Sequence, residues 1–118
     1  MLALFALAIP MQATIAQTDP AAAPAPAVDQ ENILHLDLST GGRVSILLFP
    51  SVAPGHVERI KTLTRRGFYN GIIFHRVIEG FMAQTGDPTG TGQGDSDLPD
   101  LKAEFNAIPH LRGTVSMA

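Results

Sequence analysis

Apolar and polar positions alternate in two short stretches near the middle of the chain. Over 32–38, Leu34, Leu36 and Leu38 point one way while His35 and Asp37 point the other. Over 43–49 the run is again strand-like, β-branched at Val44 and Ile46, and Pro50 ends it. Ser39, Thr40, Gly41 and Gly42 lie between the two, so the pattern predicts an antiparallel hairpin.

The period then changes from two to three-and-four. Val57, Ile60, Leu63 and Thr64 fall on one face of a helix predicted over roughly 54–66. Pro54 suits the first helical turn, where its missing N–H would have no helical acceptor. Lys61, Arg65 and Arg66 gather toward the C-terminus, where the macrodipole favours cations. Gly67 is placed to be the C′ residue. This reading accounts for the basic cluster by helix electrostatics, without a ligand.

Beyond the helix, Asn70-Gly71 marks a turn, and 72–78 and 81–85 are expected strands. Residues 86–100 form a long Gly- and Asp-rich loop, and 113–117 is expected to be a further strand. The fold class is therefore mainly β with one helix. Strands at both ends lack visible partners, as in a barrel or sandwich of which only part is present.

The first thirty residues have another character. They hold four prolines and only two charges, Asp19 and Asp29. Residues 2–9 are unbroken apolar, and Thr14 and Ala16 are small enough for the two pockets of a signal peptidase. Residues 1–16 are expected to be a signal peptide cleaved after Ala16, although no Lys or Arg precedes the apolar run. The run is too short to span a bilayer. Residues 17–30 are rich in alternating Ala and Pro, which favours polyproline-like extension, and are expected to be a linker. The product is expected to be periplasmic or secreted, with no stable membrane insertion after cleavage.

Residues 31–118 hold all eight basic residues and nine of the eleven acidic ones. So balanced a charge argues against a nucleic-acid binder. The absence of Cys excludes disulfide scaffolds, thiolate zinc sites and cysteine nucleophiles. The run GDPTGTGQGD has the glycines of a phosphate loop, but an acidic, Pro-interrupted segment follows it where a helix N-terminus is required. Its acids also lack the terminal bidentate Glu of an EF-hand loop. His35, His56, His75 and His110 show no metal-ligand spacing. No cofactor is expected.

The densest chemistry lies in FHRVIEGFMAQTGDPTGTG, 74–92. It places one fixed cation, Arg76, on a strand. Gly80 follows, then Phe81 and Met82, then the amide of Gln84. One Arg, one Gln and an apolar surface suit a neutral, partly apolar ligand with carbonyl groups, of which peptide is the obvious candidate. Alone, Phe81 and Met82 read as core, Arg76 as a solvated charge and His75 as a hydrogen-bonded structural histidine.

The chain resembles the cyclophilin-type peptidyl-prolyl cis-trans isomerases over 32–118. The resemblance is carried by the entry hairpin, the helix ending in RRGFYNG, IIFHRVIEGFMAQTGDPTGTGQG, EFN at 104–106 and the closing RGTVSMA. It implies a closed antiparallel β-barrel with capping helices, and an incomplete domain over 31–118. It implies that Arg76 is catalytic. It further implies that Phe81 and Met82 floor a proline pocket, that Gln84 bonds the substrate backbone, and that Ala118 lines the neighbouring subsite. Residues 89–94 would border that subsite. Glu79 departs from the usual Pro, Thr85 departs from a common Gly, and Glu79 could compete for Arg76. In the family the domain continues past SMA and supplies further pocket residues, so the chain is expected to be an N-terminal portion of low stability on its own.

The implied activity is isomerisation of X–Pro bonds in unfolded or partly folded polypeptides, by a monomer. The alternative is an inactive fragment or a non-catalytic proline-peptide binding module.

Overall fold

A computed structural model describes residues 27–118. The expected signal peptide, and all of the expected linker but its last four residues, lie outside the described residues. Chain order is a 3-10 turn at Gln30–Asn32, β1 (Ile33–Asp37), β2 (Arg43–Leu47), α1 (Pro54–Arg65), β3 (Arg76–Ile78) and β4 (Met82–Gln84). Among the described residues β1 pairs with β2 and β3 with β4, giving two separate antiparallel hairpins.

The first hairpin follows the alternation. Its register runs from Ile33 opposite Leu47 to Asp37 opposite Arg43. Leu34 and Leu36 are half-buried while His35 and Asp37 are exposed. Cross-strand side chains share a face, and two such pairs bond: His35 Nδ1 to Ser45 Oγ at 3.0 Å, and Arg43 to both oxygens of Asp37 at 2.7 and 3.0 Å. Gly41 and Gly42 both sit at φ +90°, a region the turn requires and which side chains resist.

Helix α1 begins at Pro54, as its missing N–H permits. It ends in a Schellman motif: Phe68 N–H donates to the Leu63 carbonyl at 3.0 Å and Gly67 N–H to that of Thr64 at 2.9 Å. Gly67 takes φ +72°, confirming it as C′. Val57 and Leu63 are the buried apolar residues of the described chain, and both lie on the face the periodicity assigns. Each basic residue of the last turns has a partner. Lys61 donates to Asn32 Oδ1 at 2.7 Å, Arg65 pairs with Glu31 at 2.8 Å, and Arg66 pairs with Asp97 at 3.6 Å. These bonds tie the helix to the 3-10 turn and to the 86–100 loop.

Three expectations need correction. The strand expected over 72–78 is regular only from Arg76. Its partner β4 offers three ladder residues, so 72–75 runs without a ladder. The strand expected over 81–85 is likewise reduced to Met82–Gln84. No strand forms over 113–117, which is exposed throughout; a strand exists only where a neighbour accepts its bonds, and none is present among the described residues. The described residues accordingly do not close a barrel.

Large apolar side chains stay open to solvent on both hairpins and beyond, including Val44, Phe49, Val77, Phe81 and Phe105. No helix among the described residues is long and apolar enough to cross a membrane.

Candidate functional site

β3 and β4 pair as Arg76 with Gln84, Val77 with Ala83 and Ile78 with Met82. Directly opposed residues of an antiparallel ladder project to one face, and so do residues two apart. Arg76, Ile78, Met82 and Gln84 therefore share a face, with Val77 and Ala83 on the other. The turn is made by 78–81. Phe81 N–H donates to the Ile78 carbonyl at 3.0 Å, and Gly80 holds φ +73° in the third position. A negative φ followed by a positive one is the type II pattern, which is why glycine stands there.

The tight turn brings Met82 back beside Ile78 and Gln84 beside Arg76. It projects Phe81 from the tip, 79% exposed. Phe81 and Met82 form one wall of an open cleft of about 760 Å³. Segment 110–116 forms the other wall, with Leu111, Gly113 and Thr114. Arg76 and Gln84 lie outside the lining of that cleft, at the open end of the hairpin. Ala118 is exposed and is not part of the lining. Of the five residues singled out, then, Arg76, Met82 and Gln84 come together on one face, Phe81 adjoins them at the turn, and Ala118 stands apart.

Arg76 forms no ion pair among the described residues. Glu79, three positions on, lies in the turn and does not engage it. The guanidinium is left with its whole fork of donors. His75 corrects an expectation: its buried Nδ1 has no hydrogen-bond partner among the described residues.

Two residues with organising roles have weaker signals in sequence. Glu104 lies 49 positions from Gly55 and caps the helix. Its carboxylate accepts from Gly55 N–H at 2.9 Å, His56 N–H at 3.0 Å and His56 Nδ1 at 2.6 Å. The signal is Ala53 at the N-cap, which has no side chain to satisfy the orphan N–H groups, so an acceptor must come from elsewhere. The His56 bond, then those from Gly55 and His56 N–H, hold the Glu104 pKa below the usual value. Asp87 is the second. It is the buried polar residue of the described chain, at the start of the Gly-rich loop. The alternating Thr and Gly that follow it supply the donors it binds.

No group of three or more His, Asp or Glu is placed to hold a metal ion among the described residues.

The family model described as cyclophilin type peptidyl-prolyl cis-trans isomerase/CLD matches residues 35–118. A Brucella suis protein described as a probable peptidyl-prolyl cis-trans isomerase is 50% identical over 105 residues, covering 80% of this chain and 53% of the relative. An Aspergillus niger peptidyl-prolyl cis-trans isomerase-like 1 is 44% identical over 81 residues, covering 65% of this chain and 50% of its own. A Streptococcus pyogenes putative bifunctional phosphatase/peptidyl-prolyl cis-trans isomerase is 45% identical over 80 residues, covering 65% and 17%. No solved structure matches the chain significantly. The chain spans about half the length of the first two relatives. It belongs to the cyclophilin-type peptidyl-prolyl cis-trans isomerase family.

Proposed function

We propose that this protein accelerates cis–trans isomerisation of X–Pro bonds in unfolded or partly folded polypeptides, with Arg76 as its catalytic residue. The observation that carries the proposal is the Arg76 guanidinium opposite Gln84, unpaired among the described residues, on the face that also holds Met82. The site would need no cofactor.

The reaction crosses a barrier of about 18–20 kcal/mol set by amide resonance, and takes tens to hundreds of seconds unaided. As the C–N bond twists, resonance is lost, the prolyl nitrogen turns pyramidal and its lone pair localises. An Arg76 N–H donates to that lone pair. The bond is stronger in the twisted state than in either planar state, so it lowers the barrier instead of tightening ground-state binding. Arg suits the role because it stays charged and carries a rigid fork of donors. Gln84 holds the substrate backbone on one side of the bond while the other side rotates. Phe81 and Met82 take the proline ring and desolvate the amide, and Ala118, which stands apart from them here, would line the neighbouring subsite in the complete domain. In the complete domain the hairpins are part of a closed antiparallel barrel. The protein acts as a monomer, is exported by residues 1–16 and carries residues 17–30 as a tether.

A protease-coupled assay on an X–Pro peptide tests this reading, with Arg76→Ala as the control. Activity that Arg76→Ala removes supports it. Peptide binding without turnover would make the chain a proline-peptide binding module instead.

A further inference from the structure

Asp87 is buried at 6% exposure, although Thr89, Thr91 and Gly92 around it are exposed. Its carboxylate is the centre on which the loop winds. Oδ1 accepts from Thr89 N–H at 2.6 Å and Thr89 Oγ1 at 2.7 Å. Oδ2 accepts from Thr91 N–H at 3.0 Å and Gly92 N–H at 2.6 Å. Gly94 passes so close that a methyl group there would collide with Oδ1 and with Thr89. Burial would raise the Asp87 pKa, but the bonds from Thr89, Gly94 and Gly92 outweigh it and hold the group well below the usual carboxylate range. The anion, with its full set of acceptor sites, is the form that organises the loop.

The loop is pressed against the chain that leads into Arg76. A methyl group on Gly90 would lie 3.0 Å from Ile73 Cδ1, and one on Gly92 would lie 3.4 Å from the His75 ring. Thr85 Oγ1 donates to the Ile73 carbonyl at 2.9 Å. Ile73 and His75 fall in the stretch that has no ladder of its own. The buried His75 Nδ1 has no bond to hold the ring. The loop lies alongside this stretch, with Ile73 still 60% exposed, and shares with the Thr85 bond the task of holding it.

We propose that Asp87 is a positioning residue for Arg76: its carboxylate gathers 87–94 into one ordered loop, whose glycines lie against Ile73 and His75 and so set how the chain enters β3 at Arg76. This inference rests on Arg76 being the active group.

The test uses the full 118-residue chain with Asp87→Asn, Arg76→Ala and the double variant. Thr89→Ala, which removes a hydroxyl and a methyl but leaves the Asp87 carboxylate and the Thr89, Thr91 and Gly92 N–H donors in place, is the milder variant should Asp87→Asn fail to fold. The readouts are amide exchange in the loop, the Arg76 Nε–H resonance, and kcat and KM on an Ala–Pro peptide. With Asp87→Asn, the Thr89, Thr91 and Gly92 amides are expected to exchange about tenfold faster or more. The Arg76 Nε–H signal moves, and kcat falls about threefold or more with KM unchanged. In the Arg76→Ala background Asp87→Asn costs no further kcat, because the two act on one group. An unmoved Arg76 signal overturns the inference, and so does a full additive loss in the double variant. The underlying reading fails separately, when wild-type turnover does not depend on Arg76. The Arg76 signal then still judges the positioning role without any turnover.

Discussion

Arg76 and Gln84 stand directly opposite each other across the β3–β4 ladder. The pairing gives each a separate, measurable share of the proposed reaction. A donor used only in the twisted state should govern kcat, and a backbone clamp used throughout should govern KM. Arg76→Ala is expected to lower kcat about 100-fold, the size seen when a transition-state donor is removed. Gln84→Ala is expected to raise KM several-fold with a smaller change in kcat. Steady-state kinetics on one X–Pro peptide check both. A Gln84→Ala loss confined to kcat would contradict the division of roles.

Glu104 predicts a pH dependence. Its folded-state pKa lies below its unfolded value, first through the His56 bond and then through the Gly55 and His56 N–H groups. A depressed carboxylate pKa contributes stability that is present above the unfolded value, near 4.3, and is lost as pH falls through the lower folded value. Glu104→Gln should therefore unfold more readily than wild type at pH 7, with the gap closing in acid. Denaturant titrations at pH 7 and pH 3 check this. A gap of equal size at both would mean that the carboxylate charge contributes nothing.

Gly67 stands at φ +72°, and a methyl group there would lie 3.2 Å from Asn70 Nδ2. Gly67→Ala is expected to cost about 1–2 kcal/mol, the penalty for a side chain in the left-handed region. Thermal unfolding followed by circular dichroism measures it. A neutral result would show that the helix end relaxes into another cap.

Val57 and Leu63 are the buried apolar residues of the described chain, while Phe81 and Phe105 are largely exposed. Leu63→Ala is expected to cost roughly 2–5 kcal/mol. Small domains have total stabilities of only about 5–15 kcal/mol, so this single change should remove a large share of the total and lower the transition temperature markedly. The exposed apolar surface should bind a hydrophobic dye and drive association as concentration rises. Calorimetry and light scattering on the 118-residue chain check these outcomes. A Leu63→Ala transition at the wild-type temperature would contradict so small a core.

The pattern of the chain was most informative where structure is local. The first hairpin follows from alternation about Gly41-Gly42, and α1 from its three-and-four spacing between Pro54 and Gly67. Strand length was less legible, because a strand is as long as its partner allows. Residues 72–75 and 113–117 have strand composition but no ladder among the described residues. Arg76, Phe81, Met82 and Gln84 could be named only as parts of a familiar motif, since nothing local distinguishes Arg76 from a solvated charge. Its pairing with Gln84 depends on the turn at Gly80. Glu104 reaches the helix across 48 residues to His56, and no local periodicity encodes such a contact. Asp87 is intermediate: the Thr and Gly donors are adjacent in sequence, but only the folded loop shows them converging on one carboxylate.

The most direct test of the central claim is exchange NMR on an Ala–Pro peptide, which reads interconversion of the cis and trans forms with no coupling protease. Wild-type protein is expected to bring exchange from tens of seconds into the detectable range, and Arg76→Ala at the same concentration to return it close to the unaided rate. Equal acceleration by wild type and a folded Arg76→Ala variant would contradict the assignment of catalysis to Arg76.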